Sequence, residues 1–434
     1  MKQPTRRLGR NLNRLWFAQS ISLLGLQVGS IAMPLIALDQ LDASPAQVAL
    51  IATWASIPWL VLTPFIGVLA DRVDRKRLLV VSHVARGLLW LTIPALYLTG
   101  HLSISQLWAV ALLVGILGIT FEIGYHAFLP QIVRRDQLAR ANGRMAATDA
   151  AARATGPTLA GYAVQLIGAP FTLLLQAMTS FLAAAATASI KPPSTGRASY
   201  RRSHTTSPGQ PNERRPGLRQ RLSSGRSAAT LGFAYLWRIP PLRWLTLAEA
   251  TYLFFFSACF AVIVVFLRAD IGLTPLSVGI VFSVGSAAGI AGAATAAKLA
   301  TRLGLNTAIR LAAILRGTGL AMLPLSLVLP PQTQLVALIA ARALNAGAWS
   351  IYEVLANSYQ QGVLDDSCRG SATAAGLWLA RGAEFLGAAA VAAAAAAHVP
   401  TSLLILIAGI GATSGGILTL LVDTTTSPPA NTDA

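Results

Sequence analysis

Charge is scarce in this chain. Asp, Glu, Lys and Arg make up 12% of its 434 residues while 54% are hydrophobic, against roughly 25% charge in an ordinary soluble domain. That balance excludes the usual soluble globular enzyme. Acids are the scarcer sign, 16 against 34 Lys and Arg, and the formal net charge is +18. Such an excess points to nucleic acid only where the positive charges share a soluble face; here they sit in short connections between apolar runs, and no nucleic-acid partner is expected. Cysteine is nearly absent: Cys259 and Cys368 have neither the number nor the spacing for a disulfide framework or a thiolate metal site. Phosphate-cradling loops, metal-ligand clusters and nucleophile triads are also missing. No cofactor, no ATP hydrolysis and no enzyme activity are therefore expected, and any transport must draw on an ion gradient or on the substrate's own.

What is present is length in apolar runs. About 20 apolar residues cross roughly 30 Å of hydrocarbon. Twelve stretches meet that measure, at 14–38, 47–70, 78–99, 105–129, 144–168, 169–190, 242–267, 276–300, 307–329, 333–357, 372–396 and 401–422. Turn residues separate them, such as Asp42-Ala43-Ser44-Pro45, Gly168-Ala169-Pro170 and Pro330-Pro331. Met1 to Arg14 carries five basic residues ahead of a run too long for a signal-peptide core, so the first helix is expected to stay. With the N-terminus in the cytoplasm, 28 of the 34 basic residues fall on the cytoplasmic side. Five (Arg86, Arg153, Arg316, Arg342, Arg381) lie inside helices and one, Arg268, lies outside. An even number of spans returns the C-terminus to the cytoplasm.

Residues 191–241 differ in kind, with nine Lys or Arg between Lys191 and Arg226 and one acid, Glu213. Rich in Pro, Ser and Gly, the segment is read as a disordered cytoplasmic linker that sets topology and touches anionic lipid. The expected organisation is a first six-helix bundle over 1–190, the linker, a second bundle over 242–422 and a cytoplasmic tail over 423–434. The expected fold class is all-α, with twelve transmembrane helices in two parallel six-helix bundles.

A shift of 230 residues lays Ala18-Gln19 on Ala248-Glu249, Ser44-Pro45 on Thr274-Pro275, Arg86-Gly87 on Arg316-Gly317 and Pro94 on Pro324. A shift of 231 lays Phe121-Glu122 on Tyr352-Glu353 and Gly156 on Gly387, and sets Arg153 opposite Glu384. So many matches in one register indicate a duplicated unit. Parallel halves of this kind hold substrate near the midplane and rock to expose it to either side.

Gly67-Val68-Leu69-Ala70-Asp71-Arg72-Val73-Asp74-Arg75-Lys76-Arg77, between the second and third spans, resembles the signature loop of the major facilitator superfamily, with Asp74 where that pattern has glycine. The segments Leu15 to Leu38, Phe121 to Pro130 and Thr155-Gly156-Pro157-Thr158-Leu159-Ala160-Gly161 are similar to the enterobactin-exporter and macrolide-efflux branch. The resemblance implies proton-driven export of a small molecule. Gly156, Pro157 and Gly161 resemble a shortened antiporter motif of the fifth helix. Gly67, Asp71, Arg72 and Arg75 would form a gating loop whose acid latches the inner side; Asp71 is also four residues before Arg75, close enough to pair if the helix continues.

Ionisable groups at membrane depth are costly and mark function or pairing. Asp149 with Arg153, and Arg381 with Glu384, can neutralise one another on one helix face. Glu122 has only His126 within a turn, and Glu353 has no base there. A carboxyl buried without a cation is suited to carrying a proton, so Glu122 is the first proton-coupling candidate, followed by Glu249 and Glu353. The structural alternative has Glu122 satisfied by neighbouring helices or by Arg86. Arg86 and Arg316 need carboxylates or helix-end carbonyls. Gln19, Gln27, Trp54, Tyr252 and Phe256 are candidates for lining a cavity. The sequence thus reads as a bacterial plasma-membrane exporter, monomeric, with a small hydrophobic or amphipathic substrate such as an antibiotic, siderophore or secondary metabolite, and with protons and the lipid bilayer as partners. An importer or uniporter of the same fold, and a non-transporting sensor or assembly factor, are the alternatives.

Overall fold

The computed structural model describes residues 3–70, 74–133, 137–191, 233–364 and 366–422. Among them twelve helices of 17 residues or more follow one another: α1 Gln3–Leu41, α2 Pro45–Ala70, α3 Arg75–Leu98, α4 Ile104–Ile132, α5 Leu138–Ile167, α6 Ala169–Ala188, α7 Pro240–Val265, α8 Pro275–Leu303, α9 Leu305–Ala321, α10 Pro331–Val363, α11 Asp366–Ala396 and α12 Thr401–Ile417. No described residue is in a strand.

Local chemistry sets many of the ends. Proline, which lacks the N–H that a first turn leaves unused, opens α2, α7, α8 and α10. Ser44 caps α2 by a reciprocal box with Gln47, at 2.9 and 3.3 Å, and its repeat counterpart Thr274 accepts from Ser277 N at 3.2 Å to cap α8. Gly168 and Gly304 join α5 to α6 and α8 to α9 with φ of +81° and +80°, a conformation glycine adopts freely.

Ten of the twelve helices are long and apolar enough to cross a membrane on their own. All twelve expected stretches are helices, and α5 and α9 are the two that fall short of that measure by themselves. The first carries Arg140, Arg144, Asp149 and Arg153. The second stops at Ala321, and a 3₁₀ stretch, Leu323–Val328, finishes the crossing around Pro324, which has no N–H to extend the ladder.

The packing repeats with the sequence. In the first bundle α1 packs on α5 and α6, α3 on α4 and α6, and α2 on α4; in the second α7 packs on α11 and α12, α9 on α10 and α12, and α8 on α10. Between the bundles α5 meets α8 and α2 meets α11. The chain therefore forms two parallel six-helix bundles. The C-terminal ends of α2, α4, α6, α8 and α10 and the starts of the helices that follow them lie at one end, the basic end, where Arg75, Lys76, Arg140, Arg243, Lys298 and Arg302 are found.

One expectation changes here. The segment read as an unstructured linker over 191–241 is helical over 233–238, where Leu236 is buried and Phe233 stacks edge-on against Trp378 at 6.2 Å. Four bulky apolar residues between 233 and 237 give this stretch something to bury, which the Arg-rich part lacks. The rest of that segment, and the tail over 423–434, lie outside the described residues. At the signature loop, α2 ends at Ala70 and Asp74 is extended, its carboxylate accepting from Lys76 N and Arg77 N to cap α3. Asp71 and Arg72 lie outside the described residues, and with them the expected Asp71–Arg75 pair. Gly67 falls within α2, and Arg75 donates to the Ala127 carbonyl at 3.1 Å.

Candidate functional site

The bundles meet closely at the end away from the basic loops. There Arg268, in a π-helical turn after α7, pairs with Asp39 of α1 at 3.1 Å and also donates to Leu273 O at 3.2 Å. Thr158 N of α5 donates to Ser283 Oγ of α8 at 2.9 Å. A methyl on Gly161 would strike the Pro275 carbonyl, and one on Gly279 that of Pro157. The antiporter-like residues thus serve close packing. Pro157 and Gly161 let α5 and α8 touch backbone to backbone, and Gly156 accommodates Gln27 of α1. An apolar groove of about 610 Å³ lies elsewhere along the seam, between Leu60 of α2, Phe254 of α7 and Trp378 and Gly382 of α11.

Toward the basic end no ion pair joins the bundles among the described residues, and exposed charges of the two face one another across a gap. Glu122 on α4 lies ten residues before the end of its helix, roughly 15 Å of rise, and Glu353 on α10 occupies the same depth. Glu122 has Arg86 of its own bundle and Arg381 of the other within electrostatic reach. Glu353 has Arg316 of its own bundle and Arg153 of the other. Both acids thus face across the gap, yet the Glu122 side chain is 48% exposed, Arg153 is 60% exposed and Glu353 is exposed. The reading of Glu122 as a buried acid is corrected, while His126, the base expected within a turn, does pair with it at 3.1 Å.

The intrahelical pairs close as their spacing allows, Asp149–Arg153 at 2.9 Å and Arg381–Glu384 at 2.7 Å. Arg381 also lies over the Trp59 ring at 4.9 Å. Glu249 bonds Arg316 Nη1 at 2.6 Å, and Arg316, 0% exposed, is sandwiched between Tyr252 and Tyr352 at 3.9 and 3.7 Å. Arg86 makes the weaker version of this contact, 5.3 Å over Phe121, with its Nε unpartnered. Glu353 has no hydrogen-bond partner among the described residues.

Of the cavity candidates, Tyr252 is corrected. It is fully buried, with Asn345 Nδ2 donating to its hydroxyl at 3.0 Å, so it supports Arg316 and does not line a cavity. Phe256 is half-buried and stacks on Phe260 at 4.2 Å and against Trp349 at 5.2 Å. Gln19 has its Oε1 buried without a partner, and Trp54 packs against the main core. Sequence reasoning missed Asp39–Arg268, joined across 229 residues, and Arg342, whose signal was available: no acid lies within one turn of it on α10. No group of His, Cys, Asp or Glu among the described residues suits a metal ion.

Known proteins share this frame. The chain is 27% identical over 187 residues, 42% of its length, to the MFS-type transporter YfiS of Bacillus subtilis (strain 168), and 37% identical over 68 residues to YkuC of the same strain. The matches span 43% and 16% of those two relatives. In three dimensions it resembles a bacterial homologue of the iron transporter ferroportin in an inward-facing state, with a TM-score of 0.70 at 15% identity over 95% of this chain and 98% of that one. It also resembles the nucleoside transporter NupG, at 0.68 and 12% identity over 94% and 98%. Likeness at that identity carries the fold alone. The family model of the Major Facilitator Superfamily matches residues 15–388, and the chain belongs to that superfamily of multi-pass membrane transporters.

Proposed function

We propose that the protein is a proton-coupled exporter of a small hydrophobic or amphipathic compound, working as a monomer in a bacterial plasma membrane with its basic end and both termini in the cytoplasm. The excess of Lys and Arg at one end supports the orientation, and the cleft then faces the cytoplasm. The observation that carries the coupling is Glu122, an acid at membrane depth, open to the cleft and facing Arg381 of the opposite bundle.

Ionised Glu122 attracts Arg381 and favours approach of the bundles at the basic end. Protonated Glu122 does not, and the cleft relaxes open. Occupancy by one proton thus biases the equilibrium between the two facings by the difference in that attraction. Glu353 facing Arg153 repeats the arrangement. Glu249 stands behind both as a proton site because Arg316 already holds its charge. Asp71 and Arg72 of the signature loop remain the proposed latch at the basic end.

Everted vesicles given a panel of fluorescent dyes and antibiotics in the external medium, with a pH gradient imposed and then collapsed, test this reading. Accumulation that follows the gradient supports proton-coupled export. Movement in the opposite sense would establish import, and the absence of movement for every compound would favour a sensor or assembly role.

A further inference from the structure

Of the five arginines placed deepest in the spans, Arg86, Arg153, Arg316, Arg342 and Arg381, four have an acid. Arg153 pairs with Asp149, Arg381 with Glu384 and Arg316 with Glu249, while Arg86 has Glu122 in electrostatic reach. Arg342 of α10 is the exception. It is 5% exposed. Its Nη1 donates to Asn345 Oδ1, and its Nε has no partner among the described residues. The groups in electrostatic reach are the Tyr252 hydroxyl and the Cys259 thiol, both uncharged when protonated. The guanidinium lies 4.7 Å over Phe260 and 5.9 Å from Phe282. Two ring faces and one amide offset only part of the cost of burying this charge.

Its position matches its chemistry. Gly285 of α8 packs against it, and a methyl there would lie 3.4 Å from Nη2, in ordinary contact. Two residues earlier Ser283 touches Thr158 of the first bundle, so Arg342 lies just behind the surface where the cleft closes. Trp349, two turns along the same face of α10, stacks with Phe256, which in turn stacks with Phe260. With Nη1 engaged by Asn345, the Nε–Nη2 edge matches the two oxygens of a carboxylate.

We propose that Arg342 is an anion-binding site that takes the carboxylate of an amphipathic substrate whose apolar body lies along Phe256, Phe260 and Trp349. This deepens the transport reading and rests on it for access from the cleft. The site itself is an equilibrium property that needs no gradient. Binding of the ligand supplies the acid that Arg342 lacks.

The test uses purified full-length protein in detergent and three probes with one fluorophore: dansylglycine (anionic), dansylamide (neutral) and dansylcadaverine (cationic). Dansylglycine is expected to bind about tenfold more tightly than the other two. Arg342→Met removes that preference, and Arg342→Lys, which keeps the charge but not the two-pronged edge, retains only part of it. With no acid to orphan, Arg342→Met without ligand unfolds at or above the wild-type temperature. Equal affinity for the three probes, or an undiminished preference in Arg342→Met, overturns the proposal. So does early unfolding of Arg342→Met with equal loss of dansylamide binding, which makes Arg342 a packing residue. A pH-insensitive efflux in vesicles would sink proton coupling and leave these binding results untouched.

Discussion

Arg86 and Arg316 stand one repeat apart, on α3 and α9, each over the aromatic ring at the matching position of the next helix, yet their surroundings differ. Arg316 is wholly buried, 2.6 Å from Glu249 and gripped by two tyrosines. In the first bundle the residue matching Glu249 is Gln19, which brings no charge. The acid that Arg86 senses is Glu122, at a distance and open to the cleft. Duplication supplied one frame twice. The second bundle committed its acid to an internal pair, and the first left its acid facing the moving gap. At this pair of matching arginines, ion-pair chemistry that holds a bundle together is thus divided from chemistry open to its surroundings.

The contrast is broken most severely at the buried pair. Glu249→Gln leaves the Arg316 charge orphaned and is expected to cost about 3 kcal/mol of stability, read as a large fall in the thermal unfolding temperature. Replacing Gly161 by leucine drives a side chain into the Pro275 carbonyl and is expected to destabilise the closed end by about 1–3 kcal/mol. Cysteines placed beside Asp39 and Arg268 should then label faster from the outside. Gln19→Glu gives Arg86 the acid its counterpart has. A gain near ~1 kcal/mol in unfolding experiments is expected, with Glu122 losing part of its hold on Arg86. Asp149→Asn disturbs a half-exposed pair and should shift stability by under ~1 kcal/mol. A larger shift from Asp149→Asn than from Glu249→Gln contradicts the division.

The sequence made the helices legible because an apolar run of membrane length has few other uses, and it made the i,i+3 and i,i+4 pairs legible because their geometry is local. The repeat set Ser44 opposite Thr274, and the structure shows both capping helices. What the sequence did not convey depends on how helices are rotated against one another. Glu249 and Arg316 lie 67 residues apart, Asp39 and Arg268 229 apart, and only packing brings either pair together. The exposure of Glu122 and the burial of Tyr252 follow from which face of α4 and α7 meets a neighbour, information that a helix's own spacing lacks. At the signature loop Asp74 acts as a local cap that the family pattern, with glycine there, does not suggest.

The central claim is that Glu122, exposed in the first bundle, couples the proton while Glu249, paired with Arg316 in the second, supports the fold. Gradient-driven efflux by Glu122→Gln, compared with wild type at equal amounts of folded protein, tests it most directly. The expected result is normal unfolding temperature and binding, with substrate movement that no longer responds to the pH gradient. Undiminished gradient-driven efflux in Glu122→Gln would contradict the account and move the proton to another acid.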